Sequence, residues 1–246
     1  MNGPHPLDKS AGRIAGMFDA IAPRYDLLNR VLSAGLDRYW RWRAIRALRL
    51  TGRDTLVDIC TGTGDVAIAA SRARRGARRV IGIDFAGAML ARAARKLSSR
   101  GMRDRVHLVR GDATRLPLPC AVADAATIAF GIRNVDAPGA ACGEILRVLR
   151  PGGRVAILEF GLPRLSVVRA LYLWYFRHVL PRIGKAVSRH EAAYSYLPAS
   201  VGAFPWGDAF VELLRREGFT AVSARPLAFG IVYLYTAEKR ARGGAS

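Results

Sequence analysis

Leu56-Val57-Asp58-Ile59-Cys60-Thr61-Gly62-Thr63-Gly64-Asp65 is the stretch that decides the fold. An apolar, partly β-branched run ends in a carboxylate and then breaks into two glycines one residue apart. Val66-Ala67-Ile68-Ala69-Ala70 follows as a second apolar run. That order reads as strand, tight glycine turn, helix, a place where bare backbone can approach a nucleotide-like ligand. A lone Gly-x-Gly also occurs in ordinary turns, so its meaning depends on the flanking chain.

Downstream, strand-like segments at 54–59, 79–83, 105–109, 123–129 and 153–159 alternate with helix-like runs at 64–74, 86–99 and 137–149. Such alternation builds βαβ units and a mainly parallel sheet covered on both faces. A helix near 206–217 and strands at 219–225 and 229–237 come last, which suggests an antiparallel hairpin at the sheet edge. The expected fold class is therefore α/β, with a Rossmann-like, seven-stranded, mostly parallel sheet and a C-terminal antiparallel hairpin. Upstream, Ile14, Met17, Phe18 and Ile21 recur at helical spacing until Pro23, which should end that helix. A second amphipathic stretch runs from about Asp26 to Leu48, with a break at Gly35. Leu28, Val31, Leu32, Leu36, Trp40 and Ile45 form its expected buried side. The whole reads as a single domain over 1–246: a disordered lead-in at 1–10, a helical cap at 11–50, a cofactor-binding core at 51–161, a helical insert at 162–205, and a terminal helix and hairpin at 206–238.

With 246 residues, 51% hydrophobic and 24% charged, the composition is that of a globular protein rather than a disordered one. The charge is less ordinary, 39 basic against 19 acidic residues for a net +20. Only Lys9, Lys96, Lys185 and Lys239 are lysines, so the excess is almost entirely arginine. It suits an anionic membrane surface, nucleic acid, or a compositional bias toward Arg spread over solvated faces. No aromatic-interleaved basic patch of RNA-binding type is visible, so no nucleic-acid partner is expected. Cys60, Cys120 and Cys142 have neither paired spacing nor a metal-ligand pattern and read as small core residues in a reducing compartment. The first residues lack a signal-peptide core, and no uncharged apolar run reaches the roughly 18 residues of a spanning helix. A cytoplasmic protein, peripheral at the inner face of the membrane, is the expectation.

In an open α/β sheet the ligand sits beyond the carboxyl ends of the strands, where strand order reverses. The residues that end successive strands therefore carry the chemistry. They are Asp58 with Gly62 and Gly64, then Asp84, then Gly111-Asp112-Ala113, then Phe130-Gly131-Ile132-Arg133-Asn134. Asp84 is placed to accept the hydroxyls of an adenosine ribose, and Asp112 with Ala113 to face the adenine. Any one of these aspartates could be a turn residue or a helix cap, but several on one rim point to a nucleoside site. Gly62-x-Gly64-x-x-Ala67 also satisfies the dinucleotide fingerprint, so NAD competes. A carboxylate at Asp58 would repel a pyrophosphate, whereas the sulfonium and amino group of S-adenosylmethionine suit Asp58 and Asp65. S-adenosylmethionine is the better match.

Beyond the turn, the chain carries Phe18-Asp19-x-Ile21-Ala22-x-x-Tyr25-Asp26-x-x-Asn29, Phe130-Gly131-Ile132-Arg133-Asn134, Arg147-Val148-Leu149-Arg150-Pro151-Gly152-Gly153, Leu158-Glu159-Phe160 and His178-Val179-Leu180-Pro181-Arg182-Ile183-Gly184. With these motifs it resembles the quinone C-methyltransferases of menaquinone and ubiquinone biosynthesis (UbiE/MenG type), a class I methyltransferase family, over roughly 14–238. The resemblance implies methylation of a ring carbon of a prenylated quinol, first demethylmenaquinol and second a ubiquinone-pathway benzoquinol, with S-adenosylmethionine and no metal. It implies cofactor contacts at Thr63, Asp84, Asp112 and Ala113, and at Ala129, where the family often has serine. Cys60 stands where many methyltransferases have the first glycine of the turn.

On this reading Arg133 stabilises a developing oxyanion or positions a water, Tyr25 and Asn134 orient the quinol, and His178 is an alternative general base. The bland readings pair Arg133 with Asp136, put Tyr25 in the core, and make His178 a satisfied member of an aromatic helix. The stretch from Leu165 to Pro181, interrupted by Arg169, Arg177 and His178, is too short and charged to span a membrane. It reads as an interfacial helix or as the cover of a channel for the prenyl tail. A methyltransferase of another small molecule or lipid, or a basic nucleic-acid-binding protein, are the alternatives. Oligomeric state is not legible.

Overall fold

The computed structural model describes residue 9 and residues 11–179 and 191–241. The expected disordered lead-in, Lys9 apart, and the middle of the expected insert lie outside the described residues. Strand β1 (Thr55–Ile59) is short and apolar, and its Leu56 and Val57 are wholly buried in clusters on opposite faces of the sheet. It is followed by α4 (Asp65–Arg72), β2 (Arg79–Asp84), α5 (Gly87–Ser98), β3 (Val106–Arg110), β4 (Ala123–Ala129), α6 (Pro138–Val148) and β5 (Leu149–Phe160). Two antiparallel strands, β6 (Phe219–Leu227) and β7 (Val232–Lys239), come at the end, after α9 (Asp208–Arg216). Among the described residues the sheet has seven strands in the order β3-β2-β1-β4-β5-β7-β6. All pairings are parallel except those of β7, which runs antiparallel to both β5 and β6. The expected class and hairpin are thus observed, and β1 and β4 flank the point where strand order reverses.

Each face of the sheet is buried. Val57, Ile59, Ile81 and Ile83 pack with Cys142 and Ile145 of α6 and Phe210 and Leu214 of α9. Leu56, Val80 and Val106 pack on the other face with Trp40 and Ile45, Ala67 of α4 and Leu97 of α5. Strand β5 begins at Leu149, earlier than the expected 153, because Leu149 already pairs with Ala123 before Pro151-Gly152-Gly153 bends the chain. Proline and glycine read as punctuation here, yet the strand carries through them.

The cap consists of α1 (Ala11–Ile21), a single 3-10 turn at Ala22–Arg24, α2 (Tyr25–Leu32) and α3 (Leu36–Ala47). Pro23 ends the first helix, and Gly35, at φ 80°, makes the break between the next two. Leu28, Trp40 and Ile45 are buried as expected, but Val31 and Leu36 are exposed at 44% and 46%. They flank the Ser33-Ala34-Gly35 bend, where the chain turns at the expected break and leaves both side chains outside. Of the insert, α7 (Ser166–Trp174), a π-helical turn over Tyr175–Val179 and α8 (Glu191–Ala203) are described. No described helix is long and apolar enough to cross a membrane.

Candidate active site

At the carboxyl ends of β1 and β4 the backbone takes two left-handed turns on non-glycine residues, Cys60 at φ 53° and Phe130 at φ 59°. That conformation is unfavourable for a side-chain-bearing residue and is held by the packing around it. It also gives a physical reason for glycine to be common at the position of Cys60. Gly62 (φ 56°) and Gly64 (φ 81°) continue the turn, and a Cβ on Gly64 would stand 3.2 Å from that of Ala93. The turn is laced to its neighbour strand: Thr61 N–H donates to Ile83 O at 2.9 Å and Gly62 N–H to Asp84 Oδ2 at 2.8 Å. The other oxygen of Asp84 accepts from Ala86 N–H at 2.9 Å. Burial holds the Asp84 carboxyl above the usual carboxylate range, opposed by those backbone donors.

Two cavities meet over these turns. One, of ≈ 560 Å³, is lined by Cys60, Gly62, Asp84, Phe85, Met89, Asp112, Ala113, Ala129, Gly131 and Asn134. The other, of ≈ 480 Å³, is lined by cap and insert residues, among them Leu28, Leu32, Leu36, Trp40, Leu171, Tyr172, Trp174 and Leu197, with Arg133 and Phe160 from the core. Phe18, Tyr25 and Phe130 line both and mark where they join. Consecutive residues are divided between them, Arg133 facing the apolar cavity and Asn134 the acidic one. Asn134 was expected beside the acceptor; the short 3-10 turn Ile132–Asn134 turns it to the other side.

The donor set of the acidic cavity fits an S-adenosylmethionine. Two carboxylates, Asp84 and Asp112, end successive strands, with Ala113, Phe85 and Met89 supplying flat or small apolar walls between them. Asn134 Oδ1 is buried with no hydrogen-bond partner among the described residues, an acceptor left over for a ligand. Asp112 is exposed and uses Oδ1 to accept from Thr114 N–H and Oγ1 at 2.8 and 2.9 Å. Ala129 lines the cavity with no hydroxyl to offer.

Three expected contacts lie elsewhere. Asp58 is 1% exposed and lines neither cavity; its two oxygens accept from Thr61 Oγ1 at 2.5 Å and Thr127 Oγ1 at 2.8 Å. Burial pushes its carboxyl up to about 6, against those two hydroxyls. Asp58 therefore braces the turn from behind. Gly64 lines neither cavity and caps α4 with its backbone. Thr63 turns its side chain away, donating from Oγ1 to Asp26 Oδ1 at 2.5 Å and accepting from Lys96 Nζ at 3.1 Å. Lys96 also bonds Asp26 Oδ2 at 3.1 Å and pairs with Asp65, which lies near Arg41 as well. Burial pushes the Asp26 carboxyl up, but the bonds from Thr63 and Lys96 bring it below its ordinary value. This network fastens α2 to the glycine turn. Asp26, Thr63 and Asp65 stand in motifs that the sequence makes legible, whereas Lys96 carries no local signal.

In the apolar cavity, Arg133 is 6% exposed and bonds Glu159 Oε1 at 2.8 Å and Phe130 O at 2.6 Å through Nη1. Its partner is thus Glu159, wholly buried at the end of β5, and not Asp136. The guanidinium lies 5.3 Å from the Phe160 ring centroid, and Phe160 packs on Phe130 at 4.7 Å. Among the described residues, none gives the buried Arg133 Nε a hydrogen-bond partner. Burial raises the Tyr25 hydroxyl above its ordinary value, with a hydrogen bond to Asn29 and the charges of Arg133 and Arg41 opposing. His178 is not brought to the site. It is exposed on the π-helical turn, its ring 5.9 Å from that of Trp174, and it lines neither cavity.

The model of the ubiE/COQ5 methyltransferase family matches residues 7–239. A ubiquinone/menaquinone biosynthesis C-methyltransferase UbiE of Syntrophotalea carbinolica is 48% identical, over 89% of this chain and 91% of that protein. A demethylmenaquinone methyltransferase of Thermus thermophilus is 43% identical, over 91% of this chain and 100% of that one. Among solved structures, a SAM-dependent methyltransferase of Thermotoga maritima, described as a possible histamine N-methyltransferase, superposes with a TM-score of 0.64 at 19% identity, covering 92% and 99% of the two chains. At that identity the likeness speaks for the fold alone.

Proposed function

The chain belongs to the ubiE/COQ5 methyltransferase family, and from that premise we propose that it transfers a methyl group from S-adenosylmethionine to a ring carbon of a prenylated quinol, demethylmenaquinol. The observation that carries the reading is the meeting of an acidic and an apolar cavity at Phe18, Tyr25 and Phe130. A polar cofactor and a greasy acceptor need separate pockets that touch where the transfer occurs, because the rate depends on holding the reacting atoms in register.

Asp84, Asp112, Ala113 and the backbone at Gly62 would hold the cofactor, with Asn134 Oδ1 as a further acceptor. Bound there, S-adenosylmethionine supplies an electrophilic methyl group. Asp58 and the Thr63–Asp26–Lys96 network position the turn without touching the ligand. On the acceptor side, a quinol ring carbon becomes nucleophilic when its neighbouring hydroxyl loses a proton. Arg133 favours that state: its cation is fixed by Glu159, and its unpartnered Nε–H can donate to the developing oxyanion. Tyr25, kept protonated by burial, donates to the ring oxygens from the junction. Leu28, Trp40, Leu171 and Tyr172 exclude water and receive the apolar tail.

The prenyl tail and the net +20 charge support work at an anionic membrane surface, with the protein peripheral there. Mass spectrometry of the quinones in cells lacking this protein tests the substrate. A naphthoquinone missing its ring methyl is expected, restored by the wild-type chain. An unchanged quinone pool would refute the reading.

A further inference from the structure

The outer face of α3 carries an ordered aromatic and basic surface that the transfer chemistry does not use. Tyr39 and Trp42 are 45% and 49% exposed and stack on each other at 5.9 Å with 28° between ring planes. Arg43 bonds the Tyr39 hydroxyl at 2.7 Å and its guanidinium lies 5.7 Å from that ring centroid. Arg46 lies 5.3 Å from the centroid of Trp42. The helix has one acidic residue, Asp37, and it is buried against Arg41. The face is thus cationic throughout. The run Arg38-Tyr39-Trp40-Arg41-Trp42-Arg43 interleaves aromatic and basic residues, against the expectation that the chain has no such patch; the helix turns Trp40 and Arg41 inward and leaves Tyr39 and Trp42 outside.

The same face begins at the mouth of the apolar cavity. Leu36, one turn before Tyr39, is 46% exposed and also lines that cavity, as do the exposed Leu171 and Trp174 of α7. We propose that the α3 face, with Leu36, Leu171 and Trp174 at its end, docks the protein on an anionic phospholipid bilayer so that the cavity opens toward the lipid. This rests on the prenylated-quinol reading and names the surface it requires. Amphipathic aromatic rings sit at the headgroup level, arginines meet lipid phosphates, and the exposed apolar residues at the mouth reach the acyl region. A bilayer fits better than single-stranded nucleic acid. Stacking platforms for bases need free ring faces, whereas here Tyr39 and Trp42 face each other and their own arginines.

Flotation of the full chain with phosphatidylcholine vesicles, with and without phosphatidylglycerol, tests this. Wild type should float with the anionic vesicles at low salt and be released by high salt. Arg43→Gln with Arg46→Gln should weaken partitioning by about tenfold or more, and Tyr39→Ala with Trp42→Ala should also weaken it. Arg74→Gln with Arg75→Gln removes the same charge from exposed residues in the loop before β2, at the opposite end of the sheet, and should bind as wild type. Equal losses in the loop and α3 variants, or α3 variants that float like wild type, would overturn the assignment. Retention of labelled RNA through the α3 residues, with no flotation, would give the face to nucleic acid and overturn it as well. Turnover of a short-tailed soluble quinol, unchanged in every variant, keeps this test separate from the methyl-transfer reading. Absence of that turnover in wild type would instead refute the reading itself.

Discussion

Arg133 and Glu159 form an ion pair at 2.8 Å inside the protein, the carboxylate wholly buried and the guanidinium nearly so. Glu159 also accepts from Arg133 N–H at 3.2 Å and from its following N–H on Phe160 at 2.8 Å. A buried pair adds little net stability, but removing one partner strands a charge. Arg133→Ala should lower stability by about 3–5 kcal/mol and abolish turnover. Arg133→Ala combined with Glu159→Gln should recover much of the stability and none of the activity. Chemical denaturation and methyl-transfer assays on both variants separate the two effects; a double variant that regains turnover would remove Arg133 from the chemistry.

Asn134 and Tyr25 are predicted to fail in different ways. Asn134→Ala removes an acceptor from the acidic cavity, so the dissociation constant for S-adenosylmethionine should rise about tenfold, as expected for one hydrogen bond to a charged group. Tyr25→Phe keeps the ring at the junction and loses only the hydroxyl. Its kcat should fall by about tenfold or more with cofactor affinity unchanged. Calorimetric binding alongside steady-state kinetics distinguishes them, and a reversed pattern would exchange their roles.

Much of this was legible in the sequence, for reasons that differ by element. The strand–glycine–helix unit at 56–70 and the acidic strand ends could be read because spacing and turn chemistry are local. Glu159 could not be matched to Arg133, since the two are brought together only by the pairing of β4 with β5, and Asp136 was the nearer carboxylate along the chain. Thr63 and Asp58 were correctly placed on the turn, but nothing in the sequence tells which way a turn side chain points. His178 carried a role from its motif alone; the π-helical turn leaves it outside the site. The Lys96 contact bridges α2 and α5 across 70 residues and has no signal in either segment.

Lys96 holds the cap to the glycine turn through Asp26, Thr63 and Asp65. Lys96→Met leaves two carboxylates without their shared cation and should cost about 1–3 kcal/mol. Because Asp26 follows Tyr25, kcat should fall as well. Lys96→Arg should restore most of both. Urea denaturation of the two variants checks this, and a Met variant as stable as wild type would show that Lys96 does not hold the cap.

Asp58 makes stability depend on pH. Its folded-state value of about 6 lies above the ordinary 3.8, so between those values the folded protein holds more protons than the unfolded one. Stability contributed by this group therefore falls as pH rises through about 4 to 6 and is level above that window. Asp58→Asn lacks this dependence. Its stability relative to wild type should improve across the window by on the order of 3 kcal/mol. Denaturation at several pH values reads the difference, which should be flat above pH 7.

Carbon methylation of a prenylated quinol is proposed to take place at the junction of the two cavities. The most direct measurement incubates the purified protein with demethylmenaquinol and methyl-labelled S-adenosylmethionine and locates the label in the product by NMR. Label is expected on the ring carbon, lost in Arg133→Ala/Glu159→Gln. Label on a quinol oxygen, or no transfer from a protein that binds both ligands, would contradict it.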